Sequence, residues 1–199
     1  MIIIGITGTI GAGKGAVVDY LTKEKGMAHY SAREFIIEEV KKRKYPIDRD
    51  SMTLVANDLR RQYGPSIIAE TLYKNAVAKG KDAVIESIRT LGEVSFLRQQ
   101  PYFFLLGVDA PIDIRYDRIQ RRGLETDGVT FEIFKAHDAR EMNSTDPYEG
   151  NIHGCIALAD AVVKNTGSLS ELYVAVDRAL SSRDAVKPKF RFPKGDLFS

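Results

Sequence analysis

Short apolar runs alternate along this chain with longer stretches in which apolar residues recur every three or four positions. Residues 1–7 are apolar and rich in β-branched side chains, the pattern of a strand buried on both faces. In residues 14–25, Val17, Val18 and Leu21 fall on one helical face, and Gly26 stands where a helix terminator is expected. Residues 27–30 predict a weak second strand. Residues 32–44 predict a helix with Phe35, Ile36 and Val40 on one side and Glu38, Glu39, Lys41 and Lys42 on the other, closed by Pro46. Two more helices, 51–63 and 65–79, are split at Gly64-Pro65, with Pro65 in a first-turn position.

The second half repeats the alternation. Strands are predicted at 82–86, 102–109 and 161–164, and helices from Pro111 to about Arg122, at 131–142 and at 168–180, the last capped by Ser168. Between them lie a polar break at 123–128, a polar loop at 143–154 and a short apolar turn or helix at 156–158. Strands alternating with helices predict an α/β fold, with a five-stranded parallel sheet covered by helices on both faces. One domain over residues 1–180 is expected. Residues 181–199 read as a C-terminal tail, with Phe190 and Phe192 available for docking.

Composition narrows the function. The 199 residues are 44% hydrophobic and 28% charged, which suits a soluble globular domain. A net charge of +2 implies no general attraction to nucleic acid or membrane, so any basic site must be local. The apolar start is too short to span a membrane and lacks the basic flank of an export signal. The one cysteine, Cys155, excludes an intrachain disulfide and fits a reducing, cytoplasmic setting. His29, His137 and His153 lack metal-ligand spacing.

The chemistry concentrates in Gly8, Thr9, Ile10, Gly11, Ala12, Gly13 and Lys14, placed between a strand and a helix. Glycines at this spacing let backbone N–H groups wrap a phosphate, the helix adds its positive N-terminal end, and the lysine reaches the outer phosphates. ATP is the expected ligand. Gly15 and Ala16 follow the lysine where a hydroxyl normally holds magnesium. A carboxylate must then share Mg²⁺ with phosphates and waters, and Glu86, after the apolar run Val84-Ile85, is the candidate metal-organising and catalytic group. Arg115, Arg118 and Arg122 share one helical face, and Arg140 closes the next helix. Asp109 is expected to cap the helix after it.

The loop Gly-Thr-Ile-Gly-Ala-Gly-Lys-Gly resembles that of adenylate kinase and its relatives, where glycine also follows the lysine. Residues 1–180 resemble a largely archaeal family of nucleotide-kinase-like proteins related to adenylate kinase and dephospho-coenzyme A kinase. The matching segments are Leu59-Arg60 ahead of Gly64-Pro65, Ile85 through Arg89 followed by Glu93-Val94, Asp109-Ala110-Pro111, Arg118 with Arg121-Arg122-Gly123, Asp138 through Glu141, and Ile156 through Asp160. A similar domain precedes the deaminase domain of some deoxycytidylate-deaminase-like proteins, but no zinc signature is present.

The resemblance implies a nucleoside-monophosphate-kinase-like P-loop fold with a lid around 123–140, hinged at 123–128. Arg118, Arg122 and Arg140 would stabilise the transferring phosphoryl group, and Arg89 would hold the acceptor. An acceptor-binding arginine of adenylate kinases would fall at Ile37, so Arg33, Arg60 or Arg61 is expected to substitute, with Arg33 and Arg60 the first choices. Asn165-Thr166-Gly167 is similar to a turn that borders adenine in dephospho-coenzyme A kinases. The acceptor is a small nucleotide-like molecule. A ribose hydroxyl as in dephospho-coenzyme A, or an ATP-binding regulatory module with little turnover, are the alternatives.

Overall fold

The computed structural model describes residues 1–123 and 128–182. The expected tail lies almost wholly outside them, as does most of the expected hinge. Five parallel strands form one sheet in the order β2-β3-β1-β4-β5. They are β1 (Ile3–Gly8), β2 (Ala28–Ser31), β3 (Ala83–Ile88), β4 (Phe103–Asp109) and β5 (Ala161–Lys164). The helices are α1 (Lys14–Lys23), α2 (Ala32–Lys42), α3 (Arg49–Tyr63), α4 (Ile67–Lys79), α5 (Leu91–Arg98), α6 (Ile112–Arg122), α7 (Phe131–Met142), α8 (Ile152–Ala157) and α9 (Leu169–Ser182).

β1 is buried at every position because it is the middle strand, hydrogen-bonded to β3 on one side and β4 on the other. Helices cover both faces. On one, Ile3, Ile85 and Leu105 pack with the inner sides of α2, α3, α4 and α5. On the other, Ile4, Ile6, Val84 and Leu106 pack with α1 and α9. Alternate residues of one strand thus serve two cores, as a doubly covered sheet requires. A third, small cluster of Ile10, Ile119 and Phe134 fastens α6 and α7 to the loop after β1. No helix among the described residues is long and apolar enough to cross a membrane.

Several local expectations are corrected. Helix α5 is an element that the apolar pattern does not predict, although Thr90 and Glu93 form a capping box at its start: Thr90 Oγ1 accepts from the Glu93 N–H, and Glu93 accepts from the Thr90 N–H. Pro65 stands outside α4, which begins at Ile67 after Ser66, so it is not a first-turn proline. Instead it packs against α5, where a Cβ on Gly92 would meet the Pro65 ring at 2.6 Å. The polar stretch ahead of residue 156 contains the start of α8, capped by Asn151. Asp109 is not the cap of α6. Pro111 occupies that place, without a side-chain cap, and the Asp109 carboxylate accepts from Thr9 Oγ1 at 3.0 Å.

Candidate active site

The phosphate loop leaves β1 at Gly8 and enters α1 at Lys14. Gly8, Gly11 and Gly13 all have positive φ, and a Cβ on Gly8 would lie 1.9 Å from the Val108 carbonyl oxygen. Both conformation and space therefore demand glycine at that position. Lys14 folds back over the loop, its Nζ donating to the carbonyls of Gly8 and Thr9 at 2.8 Å each. Desolvation and the nearby charge of Arg89 bring this ammonium down from the ordinary lysine value to about 7. Glu141 and Glu86 act upward against them, and Arg122 adds downward.

Beside the loop, β3 is irregular. Gly5 pairs with Ile85 but Thr7 pairs with Ile88, so one extra residue bulges out of β3 around Glu86 and Ser87. Ser87 takes φ 65, a left-handed conformation that favours glycine. The strand runs on to Ile88 rather than stopping at Glu86. The bulge re-aims Glu86 into the cleft beside the loop. Its Oε1 accepts from Ser31 Oγ at 2.5 Å and lies 3.7 Å from His29 Nε2. Burial pushes the Glu86 carboxyl up. Hydrogen bonds from His29 and Ser31, with the charges of His29 and Lys14, outweigh burial and leave it below the usual carboxylate range. The same bond to Glu86 raises His29. Neither β2 residue stood out in the sequence, because the contact depends on strand order.

A cavity of about 380 Å³ opens here at the carboxyl edge of the sheet. Lys14, Glu86, Arg89, Arg118, Arg122, Arg33 and Arg60 line it together, as do Ile10, Gly11, Gly13, Gly15 and Ala16 of the loop. Gly8, Thr9 and Ala12 stand behind the lining. Helix α3 contributes Arg49, Met52, Thr53, Ala56, Asn57 and Arg60, a complete stripe at helical spacing. That stripe was legible as a periodicity, but nothing in one sequence says which helix faces a cavity. Glu141 of α7 also lines it and is ion-paired with Arg89 Nη1.

Three arginines are placed differently from expectation. Arg140 does not reach the cavity; its Nη2 bonds Asp50 Oδ1 at 3.0 Å on the surface. Arg60 touches the cavity floor but is 3% exposed and committed to Glu93, through Nη2 at 2.9 Å and Nε at 3.3 Å. Glu93 Oε2 meanwhile accepts from the Arg89 N–H at 2.8 Å, so this buried pair ties α3 to the end of β3. Arg115 turns inward from the shared arginine face. It forms a two-pronged pair with Asp138 at 2.7 and 2.9 Å and donates to the Ile10 carbonyl at 3.1 Å. Arg33 is exposed at the cavity rim. Cys155 is fully buried, and burial pushes its thiol up to about 12, which leaves it a packing residue.

Comparison with known proteins agrees with this architecture. Residues 4–143 match a family model described as an AAA domain. The chain is 31% identical over 183 residues to UPF0200 protein MJ1399 of Methanocaldococcus jannaschii, covering 90% of this chain and 89% of that one. UPF0200 protein PYRAB09750 of Pyrococcus abyssi is 31% identical over 175 residues, 85% and 90% of the two chains. Among solved structures, a gluconokinase from Sinorhizobium meliloti superposes with a TM-score of 0.58 at 13% identity, over 92% of this chain and 93% of that one. A shikimate kinase from Aquifex aeolicus gives 0.56 at 12% identity, over 92% and 98%. At such identities the likeness is one of fold alone, a P-loop kinase-like fold.

Proposed function

We propose that this chain, which belongs to the UPF0200 family of P-loop proteins, is an ATP-dependent phosphotransferase that moves the γ-phosphoryl group of ATP to a small nucleotide-like acceptor. One observation carries the reading. A single cavity joins the phosphate loop to the α2 and α3 walls, with Glu86 and three arginines, Arg89, Arg118 and Arg122, between them. An ATPase needs room for water at that end, whereas a 380 Å³ cavity with cationic and apolar walls suits an anionic organic acceptor.

The loop N–H groups and Lys14 bind the donor phosphates. Lys14 exchanges its two loop carbonyls for phosphate oxygens, which replaces neutral acceptors by charged ones. Arg118 and Arg122 face the charge that spreads over the phosphoryl oxygens as the bond to the leaving oxygen lengthens. Arg89 and Arg33 hold the acceptor's anionic group. Its oxygen forms the new P–O bond as the bond to ADP breaks. Catalysis rests on position and charge.

Magnesium fits as a partner of the phosphates. Among the described residues no group of three or more His, Cys, Asp or Glu side chains is placed to hold a metal ion. Glu86 offers one ionised hard-oxygen ligand whose Oε1 is fixed by Ser31. Bound there, the ion would neutralise phosphate charge. The same carboxylate suits proton acceptance if the acceptor is a hydroxyl, as in dephospho-coenzyme A. A regulatory module with little turnover is favoured by one feature, the engagement of Arg89 by Glu141.

The deciding experiment incubates the chain with ATP, magnesium and each of a panel of nucleoside monophosphates, deoxynucleoside monophosphates and dephospho-coenzyme A, and separates the products. A phosphorylated acceptor is expected in at least one arm. ADP binding with no phosphorylated product in any arm supports the regulatory reading instead.

A further inference from the structure

Across the loop from Glu86, one buried side chain uses all of its polar atoms to join two parts of the site. Asn165 follows β5 and is 6% exposed. Its backbone N–H donates to the Asp109 carbonyl at 2.8 Å, which fixes it beside the end of β4. Its Nδ2 donates to the Ala12 carbonyl, inside the phosphate loop, at 2.9 Å. Its backbone carbonyl accepts from Arg118 Nη1 at 2.9 Å, and its Oδ1 accepts from Arg118 Nη2 at 3.3 Å. The amide is so close to the loop that a Cβ on Gly13 would sit 2.2 Å from Nδ2. Gly13 is thus required by its φ of 97 and by Asn165 together.

We propose that Asn165 is a positioning residue that couples the phosphate loop to Arg118, so that the nest of loop N–H groups and the guanidinium are held in one fixed relation before nucleotide binds. The reason is geometric. An asparagine side chain presents a donor and an acceptor on one rigid plane. Here the donor holds a loop carbonyl outward, which keeps the neighbouring N–H groups turned toward the phosphate. The acceptor, with the backbone carbonyl next to it, holds two nitrogens of one guanidinium. The bond to Ala12 is buried and those from Arg118 are part-buried, a setting in which a misplaced polar group is costly. A turn that merely borders the nucleotide needs neither bond. This role rests on the reading of the loop as a phosphate site.

The test measures ADP and ATP affinity by calorimetry on the full chain, alongside thermal unfolding, for wild type, Asn165→Ala, Arg118→Ala and the double variant. A folded Asn165→Ala should bind ADP about tenfold more weakly, the effect of roughly one buried hydrogen bond. The double variant should lose no more than about twofold beyond the worse single one, because both substitutions break the same link. Asn165→Asp keeps acceptors for Arg118 and loses the donor to Ala12. It should weaken ADP binding while retaining sensitivity to Arg118→Ala, and it carries the test should the alanine variant not fold. Wild-type ADP affinity in a folded Asn165→Ala or Asn165→Asp overturns the proposal, as do independent, multiplying effects in the double variant. A wild-type chain that binds no ADP refutes the phosphate-site reading itself, a distinct result.

Discussion

The two ends of the cleft are built from different materials. The donor end is braced by buried bonds, Asn165 to the Ala12 carbonyl and Arg115 to the Ile10 carbonyl and Asp138, and by the part-buried bond of Thr9 to Asp109. At the acceptor end, α3 meets α7 and the loop after it through surface ion pairs, Arg140 with Asp50 and Arg61 with Asp146 and Glu149. Buried bonds hold against water and salt, while exposed pairs contribute little and are screened. The donor end is therefore prepared in advance, and the acceptor end can adjust to what it binds. The Arg60–Glu93 pair beneath the acceptor wall is also deeply set.

The largest effect should come from Lys14. Lys14→Ala removes a charged partner of two phosphates and should weaken ATP binding roughly a thousandfold. Its unfolding temperature should not fall, because Lys14 contributes only two bonds to loop carbonyls and its burial opposes its charge. Titration of ATP into the variant checks this, and wild-type affinity would remove the loop from the site.

Next comes the buried pair. Arg60→Ala should leave the Glu93 carboxylate unpaired and cost about 3–5 kcal/mol of stability by denaturant unfolding. ADP affinity, measured well below the transition, should change little. A stability loss under about 1 kcal/mol would mean the pair is not the post the acceptor wall stands on.

Glu86→Gln keeps shape and loses charge. It should reduce kcat roughly a hundredfold and leave ADP affinity within a few fold, since the loop still binds phosphates. Equal losses in both would move Glu86 from the reaction to ground-state binding.

Proton linkage sharpens the picture of the donor end. With Lys14 brought down to about 7, much of it is neutral at pH 8. A phosphate partner favours the charged form, so ADP binding should take up a proton at pH 8 and none at pH 6, where Lys14 is already charged. Calorimetry in buffers of different ionisation enthalpy reads the uptake, and Lys14→Met should abolish it. The same depression makes folding bind fewer protons than the unfolded chain between about pH 7 and the ordinary lysine range. Lys14 therefore adds a rise of stability with pH in that window, and the rise should vanish in Lys14→Met.

The smallest effect should be that of Arg140→Ala. Removing a surface partner of Asp50 should change kcat by less than about fivefold, with a difference that shrinks further as salt is raised. A hundredfold loss would restore Arg140 to the reacting phosphoryl group.

The chain itself determined a good deal. Strand and helix periodicity specifies a doubly covered parallel sheet, because only that arrangement buries continuous apolar strands on both faces. The spacing of glycines and lysine between a strand and a helix reads as a phosphate loop in the sequence, because glycines there free the backbone to turn its N–H groups inward. Glu86 was legible from its place after an apolar strand.

The tertiary structure alone decided which polar residues meet. The arginines look alike in sequence, yet Arg115 and Arg60 are drawn into buried pairs by Asp138 and Glu93, and Arg140 is held outside by Asp50. Those partners lie 23, 33 and 90 positions away, so no local pattern announces them. The same holds for Ser31 against Glu86 and for Asn165 against Ala12, 153 residues apart. A charge or an amide can be recognised one residue at a time. Its role depends on the sheet order that brings a distant partner within hydrogen-bond reach, and sheet order is a property of the folded whole.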